Sequence, residues 1–511
     1  MLAKAYSSAL LGIDAYPVEV EVDITKGLPN FNIVGLPDTA VKEAKERVTA
    51  AIKNSQLEFP LKRITVNLAP ADIKKEGSSF DLAIAVGILK ANGTVNNDEL
   101  SNYLLLGELS LDGGIRRVNG VLPIALKARE NSAKRLILPS SNAREASVVE
   151  EIEVHPVKSL LETINFLNGE IYIDPYKCDL KKSLHQSSYY EVDFAEVKGQ
   201  EHVKRALEIA AAGSHNILMI GPPGAGKTML ARRVLTILPD LTLEEAIETT
   251  KLHSVAGLLK PHQALVGTRP FRSPHHTISD AGLIGGGRIP RPGEVSLSHN
   301  GVLFLDELSE FPRHVLESLR QPLEDGVLTI SRALTSVTYP ARFMLVAAMN
   351  PCPCGYFGDQ HHECTCTPLQ IQNHLSKVSG PLLDRIDIHI EVTAVRKEEL
   401  LGKRTAEPSF KIRKRVNKAR EIQLERFKDL PLYSNAQMNP KHIRKFCPLG
   451  KETEELLRSA ISELRLSARA YHRILKISRT ITDLEGKEDI NSSHISEALQ
   501  YRCLDRQLWR R

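Results

Sequence analysis

A glycine-rich turn between an apolar strand and a helix start constrains the fold of this chain more than any other feature. Residues 216–230 read NILMIGPPGAGKTML, and residues 221–228 match the pattern G-x-x-x-x-G-K-[ST] in full. In such a loop the backbone N–H groups and the following helix N-terminus surround phosphate oxygens. The pattern predicts that Lys227 reaches the β- and γ-phosphates of ATP and that the Thr228 hydroxyl binds Mg²⁺. The predicted phosphate-binding residues are Gly221, Pro222, Pro223, Gly224, Ala225, Gly226, Lys227 and Thr228.

Two further apolar strands end in polar residues that complete a nucleotide site. The strand in GVLFLDELSEF ends at Asp306, which can hold Mg²⁺, and at Glu307, which can polarise an attacking water. The strand in RFMLVAAMN ends at Asn350, which can position the same water. Downstream, SGPLLDRIDIHI contains Arg385, which either reaches the phosphate of a neighbouring subunit or forms a surface salt bridge. Together with the glycine-rich loop, these residues predict ATP hydrolysis.

The order of strand-like and helix-like segments predicts a multidomain α/β protein. With 511 residues, the chain is long enough for about two to four domains. Residues 1–168 mix alternating strands such as VEVEVDI with helical periods, which indicates an α+β domain, and the polar residues 169–192 are interpreted as a linker. Residues 193–396 alternate short strands with helices, as in a parallel sheet, and residues 397–511 contain helical patterns alone.

Four of the seven cysteines lie close together in a predicted insertion, residues 350–368. They form two C-x-C pairs, Cys352 with Cys354 and Cys364 with Cys366. Two close pairs joined by a loop can provide a tetrahedral zinc site, although the usual spacing within a pair is about two to four residues. One of two nearby histidines can replace a thiolate. The pattern favours structural zinc and leaves free cysteines as the alternative.

The motifs and their order resemble AAA+ ATPases and, more narrowly, the magnesium-chelatase-like YifB/ComM family. The resemblance rests on RPFRSPHHTISDAGLIGGG (269–287), RPGEVSLSHNGVLFLDELSEF (291–311), AAMNPCPCG (347–355) and SGPLLDRID (379–387). It covers essentially the whole chain and implies a P-loop core, a C-terminal helical lid and assembly as a homo-hexamer. It also implies that Asn350 is sensor 1, that Arg385 is an arginine finger acting in trans, and that Arg469 is a sensor 2 residue in the lid.

Two N-terminal stretches, RITVNLAPADIKKEGSSFDLAIAVGIL and LGELSLDGGIRRVNGVLPIALKA, resemble the proteolytic domain of Lon. This resemblance implies a Lon/S5-like α+β fold for residues 1–168. Ser79 matches the nucleophile of that domain, but Ile124 occupies the position of its lysine base. Lys127 lies about one helical turn further on and is expected to point elsewhere. The dyad is therefore predicted to be absent, so that the protein is not an active protease, and Ser78 and Ser79 are interpreted as helix caps.

A β-hairpin is predicted in DGVLTISRALTSVTYPARF, before the strand that ends at Asn350. In the ring helicases that the chain resembles, such hairpins point into the pore, which implies that Arg332 contacts DNA. The net charge of +5 permits an acidic partner without requiring one. His275 and His276 are expected in a loop that faces the pore or a subunit interface.

Three functions are compatible with these motifs. The resemblance implies first a hexameric motor on single-stranded or branched DNA, like the branch-migration helicases of natural transformation and recombination. The second is a protein-remodelling or metal-chelatase-type ATPase subunit, although the chain contains no D-x-S-x-S metal-binding motif. The third, an ATP-dependent protease, is disfavoured by Ile124. No apolar run approaches the length of about 18 residues that spans a membrane, and the N-terminus lacks a signal-peptide pattern, so a cytoplasmic protein is expected.

Overall fold

The chain divides into two compact units. The first contains residues 1–188 and 243–267, and the second contains residues 189–242 and 268–511. The computed structural model describes residues 2–131, 135–179, 191–261, 263–287, 290–331, 336–359, 362–395, 406–464 and 467–502.

A seven-stranded mixed sheet forms the centre of the first unit. The strands of this unit are β1 (Leu2–Leu11), β2 (Asp14–Thr25), β3 (Asn30–Val34), β4 (Arg63–Ala69), β5 (Tyr103–Leu105), β6 (Glu108–Leu109), β7 (Ile115–Arg116), β8 (Arg135–Pro139) and β9 (Glu153–Val157). The sheet order is β3-β4-β2-β1-β5-β8-β9, and β6 pairs with β7 apart from it. Because side chains alternate between the two faces of a strand, Val18, Val20 and Val22 of β2 are fully buried. The predicted α+β character of the N-terminal region is confirmed.

Helices cover this sheet. They are α1 (Thr39–Asn54), α2 (Asp81–Ala91), α3 (Val121–Glu130), α4 (Ala143–Ala146), α5 (Leu160–Leu167) and, from the second chain segment, α8 (Leu243–Val255). The apolar spacing from Val41 to Ile52 predicts α1 with Asp38 as its N-cap. The structure confirms this helix, and the Asp38 carboxylate accepts the Val41 N–H at 2.8 Å.

Residues 243–267, which the sequence pattern assigned to the core at 193–396, pack within the first unit. Leu265 is buried in the same apolar cluster as Val121 of α3. The Gly120 N–H donates to the Ser254 carbonyl at 3.2 Å, and the Ser254 hydroxyl donates to a Glu145 carboxylate oxygen. Burial of its apolar residues and these hydrogen bonds therefore hold the segment in the first unit, which is discontinuous in sequence.

A five-stranded parallel sheet, in the order β11-β14-β17-β10-β18, forms the centre of the second unit. The strands of this unit are β10 (Ile217–Ile220), β11 (Phe271–Arg272), β12 (Gly285–Gly286), β13 (Arg291–Pro292), β14 (Val302–Leu305), β15 (Val327–Ser331), β16 (Ser336–Pro340), β17 (Met344–Met349) and β18 (Ile388–Glu391). Strands β10, β14 and β17 are buried along their whole length, as expected where helices cover both faces of a parallel sheet. The predicted P-loop core with a parallel sheet is confirmed.

The C-terminal region is helical, as predicted, and shares its apolar core with this sheet. Ile474 and Ile477 belong to the same buried cluster as Ile217 and Met219 of β10. The helices of the second unit are α6 (Glu201–Gly213), α7 (Lys227–Ile237), α9 (Asp280–Leu283), α10 (Glu294–Leu297), α11 (Arg313–Ser318), α12 (Arg320–Asp325), α13 (Pro368–Ser376), α14 (Gly380–Leu383), α15 (Ser409–Arg426), α16 (Pro440–Phe446), α17 (Lys451–Leu464), α18 (Ala468–Glu485) and α19 (Ser492–Gln500). Within the described ranges, no helix has both the length and the apolar character needed to cross a membrane.

Candidate active site

The glycine-rich loop joins β10 to α7. Gly224 and Gly226 have φ angles of 78° and 87°, in the left-handed region where glycine carries no steric cost. A Cβ atom at Gly221 would lie 2.1 Å from the Val392 carbonyl oxygen, so a side chain is excluded there. The loop consequently presents the N-terminal N–H groups of α7 without side chains in front of them, as a phosphate site requires.

Lys227 is the first residue of α7 and is only 9% exposed. Its Nζ donates to the carbonyls of Gly221 and Pro222 at 2.7 and 2.9 Å and to Asn350 Oδ1 at 3.0 Å. Burial lowers the pKa of Lys227 to about 8, against the opposing effect of the Asp306 and Glu307 charges. The ammonium group is thus held beside the loop, in a place where phosphate oxygens would stabilise its charged form.

The end of β14 meets the start of α7 through Thr228 and Asp306. The Thr228 hydroxyl donates to Asp306 Oδ2 at 2.6 Å. Glu307 follows with a φ of 52°, an uncommon angle for a residue with a side chain, and its N–H donates to Asp306 Oδ1 at 3.0 Å. Its carboxylate is 58% exposed. The two acidic residues therefore divide as predicted, one toward the threonine hydroxyl and one toward open space.

Asn350 follows β17 and connects the loop to a neighbouring cavity. Its side chain accepts from Lys227, and its backbone carbonyl lies 3.0 Å from His374 Nε2. A cavity of about 600 Å³ is bordered by Glu307, Asn350, His374 and Cys352, among others. The structure thus brings together the predicted residues Lys227, Thr228, Asp306 and Asn350 and places Glu307 at the adjoining cavity wall.

Gln200, which the sequence patterns did not single out, supports the glycine-rich loop. Its side-chain NH₂ donates to the Ala225 carbonyl at 2.9 Å and to the Thr393 carbonyl at 2.7 Å. The residue is buried, and its φ of 55° places it just before α6. Its only signal in the sequence is a Gly-Gln pair before a helix, which by itself indicates a turn.

His276 lies beside the predicted catalytic carboxylate. Its Nδ1 is 3.4 Å from Glu307 Oε2. The sequence analysis expected this histidine in a loop at the pore or at a subunit interface, an expectation that a single chain leaves untested. Nothing in its local sequence indicates proximity to Glu307, because the contact joins the segment after β11 to the end of β14.

Arg385 and Arg469, the two predicted phosphate-contacting arginines, lie elsewhere in this unit. The Arg385 guanidinium donates to a Glu324 carboxylate oxygen and, at 2.8 Å, to the Pro381 carbonyl, and its side chain is 14% exposed. Arg469 is exposed in the first turn of α18. Their roles as arginine finger and sensor 2 stay predictions.

A buried network fixes the chain segment that carries Arg385. Asp387, two residues later, accepts from Arg473 of α18 and from the Asn216 N–H at 3.1 Å, and it lies 3.4 Å from His215 Nδ1. Although burial raises the pKa of Asp387, the positive charge of Arg473 outweighs it and holds that pKa below its ordinary value. The C-terminal helices are thereby connected to the Arg385 segment through one carboxylate.

The four predicted cysteine ligands form one cluster. The Sγ atoms of Cys352, Cys354, Cys364 and Cys366 all lie within 4.8 Å of one another. The closest pairs are 3.3, 3.6 and 3.7 Å apart. Sulfurs bound at about 2.3 Å to one tetrahedral ion would be about 3.8 Å apart, so the donor set fits zinc. His362 instead stacks on Tyr356, and His361 lies outside the described residues.

The cysteine cluster adjoins the glycine-rich loop. A Cβ atom at Gly355, between the first cysteine pair and the following turn, would approach Pro223 Cδ to 2.6 Å. Backbone N–H groups of Cys354 and Phe357 donate to the sulfurs of Cys366 and Cys352 at 3.4 and 3.3 Å, as around metal-bound thiolates. The cluster can therefore influence the shape of the loop that is predicted to bind phosphate.

The serines of the first unit are not helix caps, contrary to their interpretation from the sequence. The N-cap of α2 is Phe80, without a side-chain hydrogen bond, and the Ser78 hydroxyl donates to Glu108 instead. Lys127 points away, as predicted, and its Nζ lies 2.8 Å from Glu130. The chain passes through Phe80 in a helical conformation, so the turn of α2 begins before either serine can face its N–H groups.

The hairpin predicted before the Asn350 strand is present as β15 and β16, which pair from Val327–Pro340 to Ser331–Ser336. Thr329 and Thr338 face each other with their hydroxyls 3.0 Å apart. The predicted DNA-contacting residue, Arg332, belongs to the tip and lies outside the described residues. The structure therefore supports the hairpin, and the function of its tip stays a prediction.

Three family models match this chain. The model described as magnesium chelatase, subunit ChlI, matches residues 193–400, and that described as subunit ChlI of Mg-chelatase matches residues 20–142. The model described as magnesium chelatase, subunit ChlI C-terminal, matches residues 406–502. The matches thus include both compact units.

Individual relatives align over almost the full length. The chain is 47% identical to the competence protein ComM of Haemophilus influenzae, across 99% of this chain and 98% of that protein. It is 44% identical to the Escherichia coli protein YifB, with the same two coverages. The magnesium-chelatase 38 kDa subunit of Rhodobacter capsulatus is 28% identical across 31% of this chain and 50% of that subunit.

Proposed function

This chain belongs to the magnesium-chelatase-like AAA+ family of ComM and YifB, and on that premise we propose that it is an ATP-hydrolysing hexameric motor that acts on DNA. The observation that carries hydrolysis is the meeting of three strand ends, where Lys227 contacts Asn350 and Thr228 contacts Asp306. A P-loop ATPase needs these groups around the β- and γ-phosphates. Membership of the family implies the same activity.

The residues at the site fit ATP with Mg²⁺. Thr228 and Asp306 offer the hard oxygen donors that would hold the ion, which supplies neutralisation of phosphate charge when bound. Lys227 exchanges loop carbonyls for phosphate oxygens, and their negative charge raises its pKa again. Glu307 polarises the attacking water from the cavity wall, and the Asn350 amide orients that water.

Assembly into a ring would place Arg385 on the nucleotide of the next subunit. In the single chain, the Arg385 guanidinium is satisfied by Glu324, which is 55% exposed. An ion pair with so exposed a carboxylate contributes little, so Arg385 can exchange it for phosphate when a neighbour is present. Arg469, exposed at the start of α18, is proposed to contact the phosphates of its own subunit from the helical lid.

DNA is proposed as the substrate because three independent features favour it. The relative with the highest identity quoted above is named as a competence protein. The hairpin of β15 and β16 brings Arg332 to a tip, and six such tips in a ring would surround a strand. Contacts to the phosphate backbone are independent of base sequence and release counterions. We therefore propose single-stranded or branched DNA as the partner, with strand displacement or junction movement as the work performed.

The function is tested by ATP hydrolysis with and without DNA. Single-stranded DNA and a four-way junction should stimulate hydrolysis several-fold, whatever their base sequence. If one Arg332 from each of six subunits contacts phosphate, affinity should fall by about 10³-fold between about 50 and 200 mM salt. Arg332→Ala should retain basal hydrolysis and lose stimulation and junction movement.

A matched arginine variant controls for a general loss of positive charge. Arg458 is 78% exposed on α17 and pairs with Glu454 in its own helix, so Arg458→Ala should behave as the wild type. If the wild-type hexamer hydrolyses ATP but no DNA structure changes its rate, the DNA function is wrong. Equal loss of stimulation in both variants would contradict the specific role of Arg332.

A protein-remodelling or metal-chelatase-type subunit is the second candidate, favoured by the ChlI family matches. The same hydrolysis assay separates the two, because such a subunit would respond to a partner protein and ignore DNA. The third function, proteolysis, lacks support at Ser79, since Ile124 replaces the base and Lys127 pairs with Glu130. A casein digest should show no cleavage.

The cysteine cluster is proposed to hold one structural zinc ion per chain. Support comes from the four sulfurs within 4.8 Å and from the backbone donors beside them. Closed tetrahedral sites of this kind contribute to folding, because the binding free energy becomes folding free energy. Its place after Asn350 and against Pro223 suggests that the ion also shapes the nucleotide site.

Metal analysis of protein purified without chelator, under reducing conditions, should find about one zinc per chain. Cys352→Ser should lower the free energy of unfolding by more than about 3 kcal/mol, since structural zinc binding provides about 10 kcal/mol or more. Cys178→Ser, at a cysteine outside the cluster, should change stability far less. Absence of metal, or equal stability of the two variants, would leave the cluster as free thiols.

A further inference from the structure

The histidine pair after β11 has no part in the mechanism above, yet its geometry addresses the reacting carboxylate. His276 Nδ1 lies 3.4 Å from Glu307 Oε2. The His276 ring packs against His275, with centroids 4.0 Å apart, and meets Phe311 edge-on at 6.4 Å. Since rings on two sides hold the imidazole, its Nδ1 faces Glu307 in a defined direction.

Glu307 itself is fixed at its backbone and open at its carboxylate. The positive φ of 52° and the N–H bond to Asp306 set the direction of its Cα–Cβ bond. The three side-chain torsions beyond that bond would still spread the carboxylate over many positions, because more than half of the residue is exposed. A base that must meet one water molecule requires a further group to hold it.

We propose that His276 is the positioning residue for Glu307, an inference that rests on the proposed ATP hydrolysis and deepens it. The His276 Nδ1–H donates to Oε2 and holds that oxygen against the imidazole. The other oxygen, Oε1, is then directed to the water that Asn350 orients on the opposite side. Contacts of catalytic groups are often long in ligand-free sites and shorten when substrate binds, as the 3.4 Å separation requires.

Removal of the imidazole should slow the chemical step and spare ATP binding. Groups that orient a functional side chain typically contribute about 10- to 100-fold. We expect His276→Ala to lower kcat for ATP by that factor, with the KM and the Kd of a fluorescent ATP analogue within about twofold of wild type.

Two further variants separate positioning from packing. His276→Phe keeps a ring between His275 and Phe311 but has no N–H donor, so it should be as slow as His276→Ala. His276→Asn loses the ring and places an amide N–H near the position of Nδ1, so it should recover most of the rate. A packing role would reverse this order, with the phenylalanine variant active and the asparagine variant slow.

A double-mutant cycle tests whether His276 acts through Glu307. The variant with both His276→Ala and Glu307→Gln should be no slower than Glu307→Gln alone, since the group to be positioned is already disabled. His314→Ala, at a histidine 71% exposed beside Asp280, is the matched control and should retain wild-type rates. Additive losses in the double variant, or wild-type kcat in His276→Phe, would overturn the proposal. A wild-type protein that binds but never hydrolyses ATP would overturn the proposed function instead.

Discussion

Replacing Arg385 by alanine should lower ATP hydrolysis by about 10³-fold or more while ATP binding stays near the wild-type level. Arginine fingers contribute about 10³ to 10⁵ because they neutralise charge that develops only in the transition state. The residue is mostly buried against Glu324 in the single chain, so the loss acts on the neighbouring subunit's reaction. Hydrolysis rates and binding of a fluorescent ATP analogue would be measured on the same preparation.

Mixing experiments decide whether Arg385 acts in trans. Hexamers assembled from wild-type and Arg385→Ala chains should lose activity more steeply than the fraction of variant chains, since each variant disables the site of its neighbour. Glu324→Gln removes the carboxylate partner and keeps the arginine, so it should retain hydrolysis. Equal inactivation by Glu324→Gln would show that Arg385 serves the ion pair and is no finger.

Glu307→Gln should bind ATP normally and hydrolyse it about 10² to 10⁴ times more slowly, the usual contribution of a positioned general base. The amide has the shape of the carboxylate but cannot take a proton from water. Because hydrolysis no longer empties the site, ATP should hold the variant in its assembled form, which sedimentation or mass photometry would detect.

A nearby glutamate provides the control for this experiment. Glu310 is 45% exposed, borders the same cavity and lies 3.3 Å from Lys377. Glu310→Gln should retain hydrolysis, because its carboxylate is engaged by a lysine away from the glycine-rich loop. Wild-type rates in Glu307→Gln would remove that residue from catalysis and leave the base unassigned.

Local patterns in the sequence predicted those parts of the fold that depend on local physics. The spacing of apolar residues in α1 and its Asp38 cap are confirmed because one buried face and one cap define a helix. The strand ends that carry Asp306 and Asn350 converge because neighbouring parallel strands end at the same edge of a sheet. Lys227 and Thr228 could be placed with the same confidence in spacing, since the loop geometry is short-range.

Contacts between distant segments could not be predicted in this way. His276 reaches Glu307 across 31 residues of sequence, and the Gln200 side chain reaches Ala225 and Thr393, with no periodicity that relates them. The serine caps were wrong because the choice of N-cap depends on the backbone angle of Phe80, which composition does not reveal. The side-chain partner of Arg385 likewise depends on how α12 and α14 pack.

The cysteine cluster lies between these cases. Two C-x-C pairs indicate a shared ligand set, but the connecting residues do not determine whether the pairs meet. The structure brings Cys352 within 3.7 Å of Cys364, over a separation of 12 residues. Residue type thus predicted the chemistry, and tertiary structure was needed to show that the sulfurs can share one ion.

The discontinuity of the first unit has a consequence for synthesis on the ribosome. Residues 1–188 emerge first, but the segment that ends at Gly267 is needed to bury Leu265 against Val121. Roughly 80 residues of the ATPase unit and of this segment must be translated in between, which takes about 4 to 16 seconds at about 5 to 20 residues per second. During that interval the nascent chain carries an unfinished apolar surface while β10 is already outside the tunnel. Holding chaperones would have their greatest effect on yield within this window.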